Sequence, residues 1–155
     1  MKTISILFSI SVFLSCNKIY DITKGQNFTT SSEMYNFQAR TLFDYDIMHG
    51  AWNNGRVSSD TLSVDFIRPF KISSISFRLS SLPISTFNIK LKLLKNDLKM
   101  IEVDSNVIVK SGDGNSFFFN NFSNNSITKL QVILESKKSY IMMSDLKILG
   151  KWKNC

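Results

Sequence analysis

The chain has 155 residues, with 19 Lys and Arg against 12 Asp and Glu for a formal charge of +7, and it carries one histidine and two cysteines. That inventory excludes a hydrolytic metal centre built from several histidines, and no Gly-rich loop ahead of a helix offers a phosphate cradle. A hydrophobic content of 43% is enough for one buried core in a domain of this length.

The first residues read MKTISILFSISVFLSCNK, with Lys2 ahead of an apolar, Ser-rich run from Ile4 to Leu14. The run is shorter than the roughly 20 residues of a bilayer span, so residues 1–15 read as a signal peptide. Phe13, Leu14, Ser15 and Cys16 resemble a bacterial lipobox, loosened two positions before the cysteine. The expectation is a membrane-anchored lipoprotein of a diderm bacterium, held in the outer membrane by several acyl chains on Cys16 and facing the periplasm or the cell surface. An ordinary secreted protein with an incidental cysteine is the alternative. Loss of Lys2 leaves 18 Lys and Arg against 12 acids. Export argues against nucleic acid as a partner, and a positive surface suits lipid head groups, lipopolysaccharide or acidic glycans, or is simply solvated. Cys155 would then be the sole remaining thiol, so no intramolecular disulfide is expected.

Residues 16–30 hold few large apolar side chains and no sustained period; they read as the lipid anchor and a tether, with the folded domain over 31–155. A short helical turn is expected near Ser31 to Phe37, where Ser31, Ser32 and Glu33 can cap a helix start. Beyond it, alternation with a period of two marks strands. Leu62, Val64 and Phe66 share one face of TLSVDFI, Ile75, Phe77 and Leu79 one face of ISSISFRLS, and Phe87, Ile89, Leu91 and Leu93 one face of TFNIKLKLLK. Pro69 and Pro83 are expected between strands. KMIEV and NVIVK, separated by Asp104 and Ser105, read as a hairpin. SGDGNS is a turn, followed by SFFFNNF, ITKLQVILES and a last strand around YIMMSDLKILG. Three consecutive aromatics cannot all face one core, so Phe118 needs a loop, a second layer or a partner to cover it. Short strands in one domain leave a sandwich or a barrel.

The order LFDYDIMHGAW, TLSVDFIRPFKISSISFRLSS, TFNIKLKL, SITKLQVILES and MSDLKILG resembles the galactose-binding-like jelly roll, whose relatives include discoidin-like (factor V/VIII type C) domains and glycan-binding domains of bacterial lipoproteins and NADase toxins. The resemblance spans about residues 30 to 150 and rests on the order of patterns, so the expected fold is an all-β, antiparallel jelly-roll β-sandwich of about eight strands. It places Asp44 and Asp46 in an acidic loop, Trp52 at a tryptophan, Asp65 in the following strand and Asp145 near the end. Tyr45 stands where the family has glycine, His49 where it has threonine, and one extra residue precedes Trp52. Many members hold a structural calcium ion; the resemblance implies Asp44 and Asp145 as its ligands, and calcium takes 6 to 8 oxygens of this kind.

Catalysis finds little support. Asp44 and Asp46 are too close in sequence to flank a sugar in the way that paired glycosidase carboxylates do, so no enzymatic activity is expected. Glycan sites pair a flat aromatic with Arg, Asn and Asp. The segment HGAWNNGR supplies His49, Trp52, Asn53, Asn54 and Arg56, with Trp52 either stacking on ligand or pinning the loop to the core. Lys90, Lys92, Lys95 and Lys99 form a stripe for an anionic partner or a solvated face. Trp152, between two lysines, touches a membrane interface or folds back on the domain. The function expected is a non-catalytic carbohydrate-binding module for a glycan or anionic surface polysaccharide. The alternative is a structural or adhesive lipoprotein that binds another protein.

Overall fold

The computed structural model describes residues 18–23, 26–31, 42, 51–53, 59–82, 84–109, 114–120, 122, 125–136 and 138–152. Cys16, Asp44, His49, Asn54, Arg56 and Cys155 lie outside the described residues, as does the expected helical turn beyond Ser31. Nine strands run through the described part: β1 (Tyr20–Asp21), β2 (Asn27–Thr30), β3 (Ala51–Asn53), β4 (Asp60–Leu82), β5 (Ser85–Lys95), β6 (Met100–Val109), β7 (Asn115–Phe119), β8 (Ile127–Glu135) and β9 (Tyr140–Trp152). Every pairing is antiparallel.

The spine is β4, at 23 residues far longer than the usual 3–10. Its first part pairs with β2 and β8, Asp60 opposite Leu134 and Asn27 opposite Asp65. Its second part pairs with β7 and β9, Ile75 opposite both Phe119 and Ile148. One strand therefore belongs to two layers: β2, β4, β8, β5 and β6 in one, and β7, β4 and β9 with β1 and β3 in the other. Strands that change sheets do so through bulges, and here the register with β8 breaks between Asp65 and Phe70. Pro69 sits inside that break rather than between strands. A proline has no N–H to give a ladder, and a bulge is where none is needed. Phe70 is the pivot, opposite Ile127 in one layer and Trp152 in the other, fully buried and edge-on to the Trp152 ring at 5.1 Å. Trp152 thus folds back on the domain.

The alternation holds where it was clean. Leu62, Val64 and Phe66, then Ile75, Phe77 and Leu79, then Phe87, Ile89, Leu91 and Leu93 are all buried in one cluster, joined by Leu130, Val132 and Leu134 from β8 and Ile141, Met143, Leu146 and Ile148 from β9. Each such side chain contributes about 1.5–3 kcal/mol on burial. Two breaks of period mark bulges. Ile72 and Ile75 both point inward because the register slips between Ile72 and Ser74, and Met143 and Leu146 do so because it slips opposite Phe77.

Three expectations change. The tether is already sheet: Tyr20 lies opposite Gly150 and Phe28 opposite Val64, while Ile22 is in the core, held by Ile22 N donating to Ile148 O at 3.0 Å. KMIEV and NVIVK are one strand, β6, because Asp104 and Ser105 stay in register with Lys90 and Ile89 of β5. The turn lies earlier, at Asn96 to Lys99, where Lys95 N donates to Lys99 O at 2.8 Å and Leu98 has a φ of 63°. That register also neutralises the lysine stripe. Lys92 meets Glu102 at 2.9 Å, Lys90 meets Asp104 at 3.7 Å, and Lys95 and Lys99 both reach Asp97. The Lys92 bond holds the Glu102 carboxyl below its ordinary range.

Candidate functional site at the loop end of the sandwich

The strand register sorts the connections by end. At one end β8 stops at Glu135 and β9 starts at Tyr140, β5 starts at Ser85 and β6 stops at Val109, and β4 both starts, at Asp60, and stops, at Leu82. Asn53, the last residue of β3, lies opposite Met142 at this same end. The connections 54–59, 83–84, 110–114 and 136–139 therefore leave and return here. β1 is at the other extreme of β9, opposite Gly150 and Leu149. Ten residues of β9 separate Tyr140 from Gly150, and at about 3.3 Å per residue that is roughly 33 Å. β1 lies at one end and these four connections at the other.

A buried latch fixes where the connection carrying Asn54 and Arg56 rejoins the sheet. Asp60 is buried and accepts from Ser31 Oγ, which in turn accepts from Thr61 N at 2.8 Å, while Ser31 N donates to Thr61 O at 3.0 Å. Trp52 lies opposite Met143 and Ala51 opposite Ser144, so the chain enters β3 beside Asp145.

The described part of this end holds a cleft of about 490 Å³, lined by Ile84, Ser85, Thr86, Asn88, Ile108, Glu135 and Lys138. Its volume is in the range of small-ligand sites. Asn88 of β5 stands opposite Glu135 of β8 and donates through Nδ2 to Glu135 Oε2 at 3.4 Å. Asn88 Oδ1 is buried, with no partner among the described residues. An acceptor shut away from water without a donor costs about 1–3 kcal/mol. Ile84 and Ile108 present an apolar wall, both more than half exposed. Ser85 Oγ and Ser136 Oγ, 3.2 Å apart, tie the floor to the turn after β8. Among the described residues Glu135 is the one carboxylate lining this cleft.

None of these cleft residues was singled out from sequence. The signal available was an apolar residue at the outward parity: Ile108 follows and precedes valine, and of three consecutive apolar strand residues one parity must face out. Phe118 shows the same logic. Phe117 and Phe119 pack on Phe77 at 6.0 and 5.7 Å, while Phe118 is 64% exposed, with nothing among the described residues covering it.

Asp145 lies in the bulge of β9 with a φ of 53°, a left-handed conformation that Asp tolerates better than most residues. Its Oδ2 is 3.6 Å from Arg78 Nε and accepts from Ser144 Oγ at 3.5 Å. Asp44 lies outside the described residues, so of the expected calcium pair only Asp145 is placed, and its carboxylate faces the Arg78 guanidinium. Millimolar calcium would fill a site of extracellular-module affinity, and we expect it to leave the thermal midpoint within about 1 °C, since only a bound ion stabilises. A rise of several degrees, lost in Asp145→Asn, would instead put calcium at this bulge.

No protein-family model matches the chain, and no curated protein does. Solved structures do. A family 32 carbohydrate-binding module from Clostridium perfringens NanJ, in complex with galactose, superposes with a TM-score of 0.64 at 14% identity, over 86% of this chain and 100% of that one. The lectin-binding domain of Lectinolysin, complexed with Lewis b, gives 0.63 at 14% identity over 85% and 96%. A Streptococcus pneumoniae fucose-binding module gives 0.62 at 14% identity over 87% and 98%. At such identity the likeness speaks for the fold alone, and the fold it speaks for is the one expected: an antiparallel jelly-roll β-sandwich like that of these modules.

Proposed function

We propose that this protein is a non-catalytic carbohydrate-binding module, displayed on a bacterial membrane by a lipid on Cys16, with its glycan site at the loop end. The observation that carries the reading is the cleft at that end, lined by the Glu135 carboxylate, Asn88 and two exposed isoleucines. Acceptors beside an apolar wall suit a neutral sugar, whose hydroxyls donate while its C–H face packs. The superposed modules were solved with galactose and Lewis b, which supports the same ligand class. His49, Asn53, Asn54 and Arg56 are proposed to contribute to the glycan site. Entry of β1 at the far end supports a display geometry in which the anchor points one way and the loops the other.

Glycan-array screening of the purified chain, followed by calorimetry on the best neutral oligosaccharide, tests this. Glu135→Ala is expected to weaken binding about tenfold or more, because a hydrogen bond to a charged group is worth roughly 1.5–3 kcal/mol. Unchanged affinity in both Glu135→Ala and Arg56→Ala would remove the glycan site from this end and favour a protein-binding, adhesive role.

A further inference from the structure

We infer that the outer face of the β7–β4–β9 layer carries a second site, for a sugar bearing a carboxylate. It shares a ligand class with the function proposed above but none of its residues. Ser76 of β4 lies opposite Phe118 of β7 on one side and Lys147 of β9 on the other; two residues on, Arg78 lies opposite Ser116 and Ser144. These side chains share the face away from the core, since Ile75, Phe77 and Leu79 between and around them are buried.

Four observations converge there. Phe118 exposes 64% of its surface on an otherwise polar face. Beside it is a depression of about 400 Å³ whose lining includes Ser76, Arg78, Ser116, Asp145 and Lys147. Serines make its floor low and supply hydroxyls. The bulge in β9 turns the Asp145 carboxylate onto Arg78 at 3.6 Å, and bulges re-aim side chains in this way next to binding sites. Among the described residues that contact runs through Nε, and a guanidinium can grip a carboxylate in two parallel hydrogen bonds.

The spacing suits one ring. Diagonal neighbours in an antiparallel pair, as Phe118 and Arg78 are, sit about 7–8 Å apart. A pyranose stacked on Phe118 would thus bring an exocyclic carboxylate to Arg78. The Arg78 guanidinium beside Phe118 makes an anionic ring the better complement.

The test is an NMR titration of the full chain with D-glucuronate, and with D-glucose as the neutral counterpart. Glucuronate is expected to shift the amides of Ser76, Arg78, Phe118 and Lys147, and glucose to shift them much less. Phe118→Ala should weaken glucuronate about three- to tenfold, the worth of a stacking contact, and Arg78→Gln, which can still bond to Asp145, should remove the preference over glucose. Glucuronate shifts that are absent from this face, equal for both sugars, or unaltered in Phe118→Ala would overturn the assignment. Shifts confined to 53–56 and the Asn88 cleft would do so while leaving the loop-end site standing; shifts at Phe118 and Arg78 with no sugar at the loop end would have the reverse effect.

Discussion

Replacing Gly150 by alanine is expected to destabilise the domain by roughly 3 kcal/mol or more, at the upper end for overpacking a dense interior. A Cβ at this position would stand 2.1 Å from the Lys71 carbonyl oxygen and 2.6 Å from Cε1 of Phe70. The first neighbour is backbone and cannot rotate away. Gly150 pairs with Ile72 of β4 on one side and Tyr20 of β1 on the other, so a methyl group must prise β9 from β4 just where Phe70 joins the two layers. At about 2–4 °C per kcal/mol for a chain of this size, thermal unfolding should show a fall near 10 °C. Sugar affinity of the folded fraction should be retained, because β3 hangs on the opposite stretch of β9, at Met142 to Ser144. A drop of less than 1 kcal/mol would mean that β9 can slide, and that the pivot at Phe70 is not rigid.

Much of the sheet was legible because each inward parity is unbroken. Phe87, Ile89, Leu91 and Leu93 in β5, and Leu130, Val132 and Leu134 in β8, are buried as the alternation demands. Where the text misled, a local signal was overridden by pairing. Pro69 reads as a strand end, yet a strand that changes layers needs a bulge and a bulge accepts proline. Asp104 and Ser105 read as a turn, but opposite Lys90 and Ile89 they are ordinary outward and half-buried ladder positions. Residues 18–30 lack a period because β1 and β2 have only two and four residues, too few for alternation to show. The site was harder to read than the fold. Asn88, Glu135 and Ile108 sit on three strands, and only the register of β5 with β6 and β8 brings them to one cleft. Nothing in their local sequence distinguishes Asn88 from the solvated residues around it.

Phe77→Ala is expected to cost about 3–5 kcal/mol, the range for a fully buried aromatic, and to act on one strand more than on the rest. Phe77 is 2% exposed and lies between Phe117 and Phe119, the two inward aromatics of β7. Among the described pairings β7 touches only β4, so those ring contacts are what anchor it. Hydrogen exchange should therefore show protection lost in β7 ahead of β5 and β8, which are sandwiched on both sides. Uniform loss would mean that β7 opens only with the whole domain. Phe77 also stands opposite the β9 bulge that turns Asp145 onto Arg78. Phe77→Leu, which keeps the domain folded while loosening β7, should therefore weaken glucuronate although Phe77 is buried. Phe118→Ala should weaken it without changing stability. Support and contact are one residue apart on facing strands, and only the support residue should move both measurements.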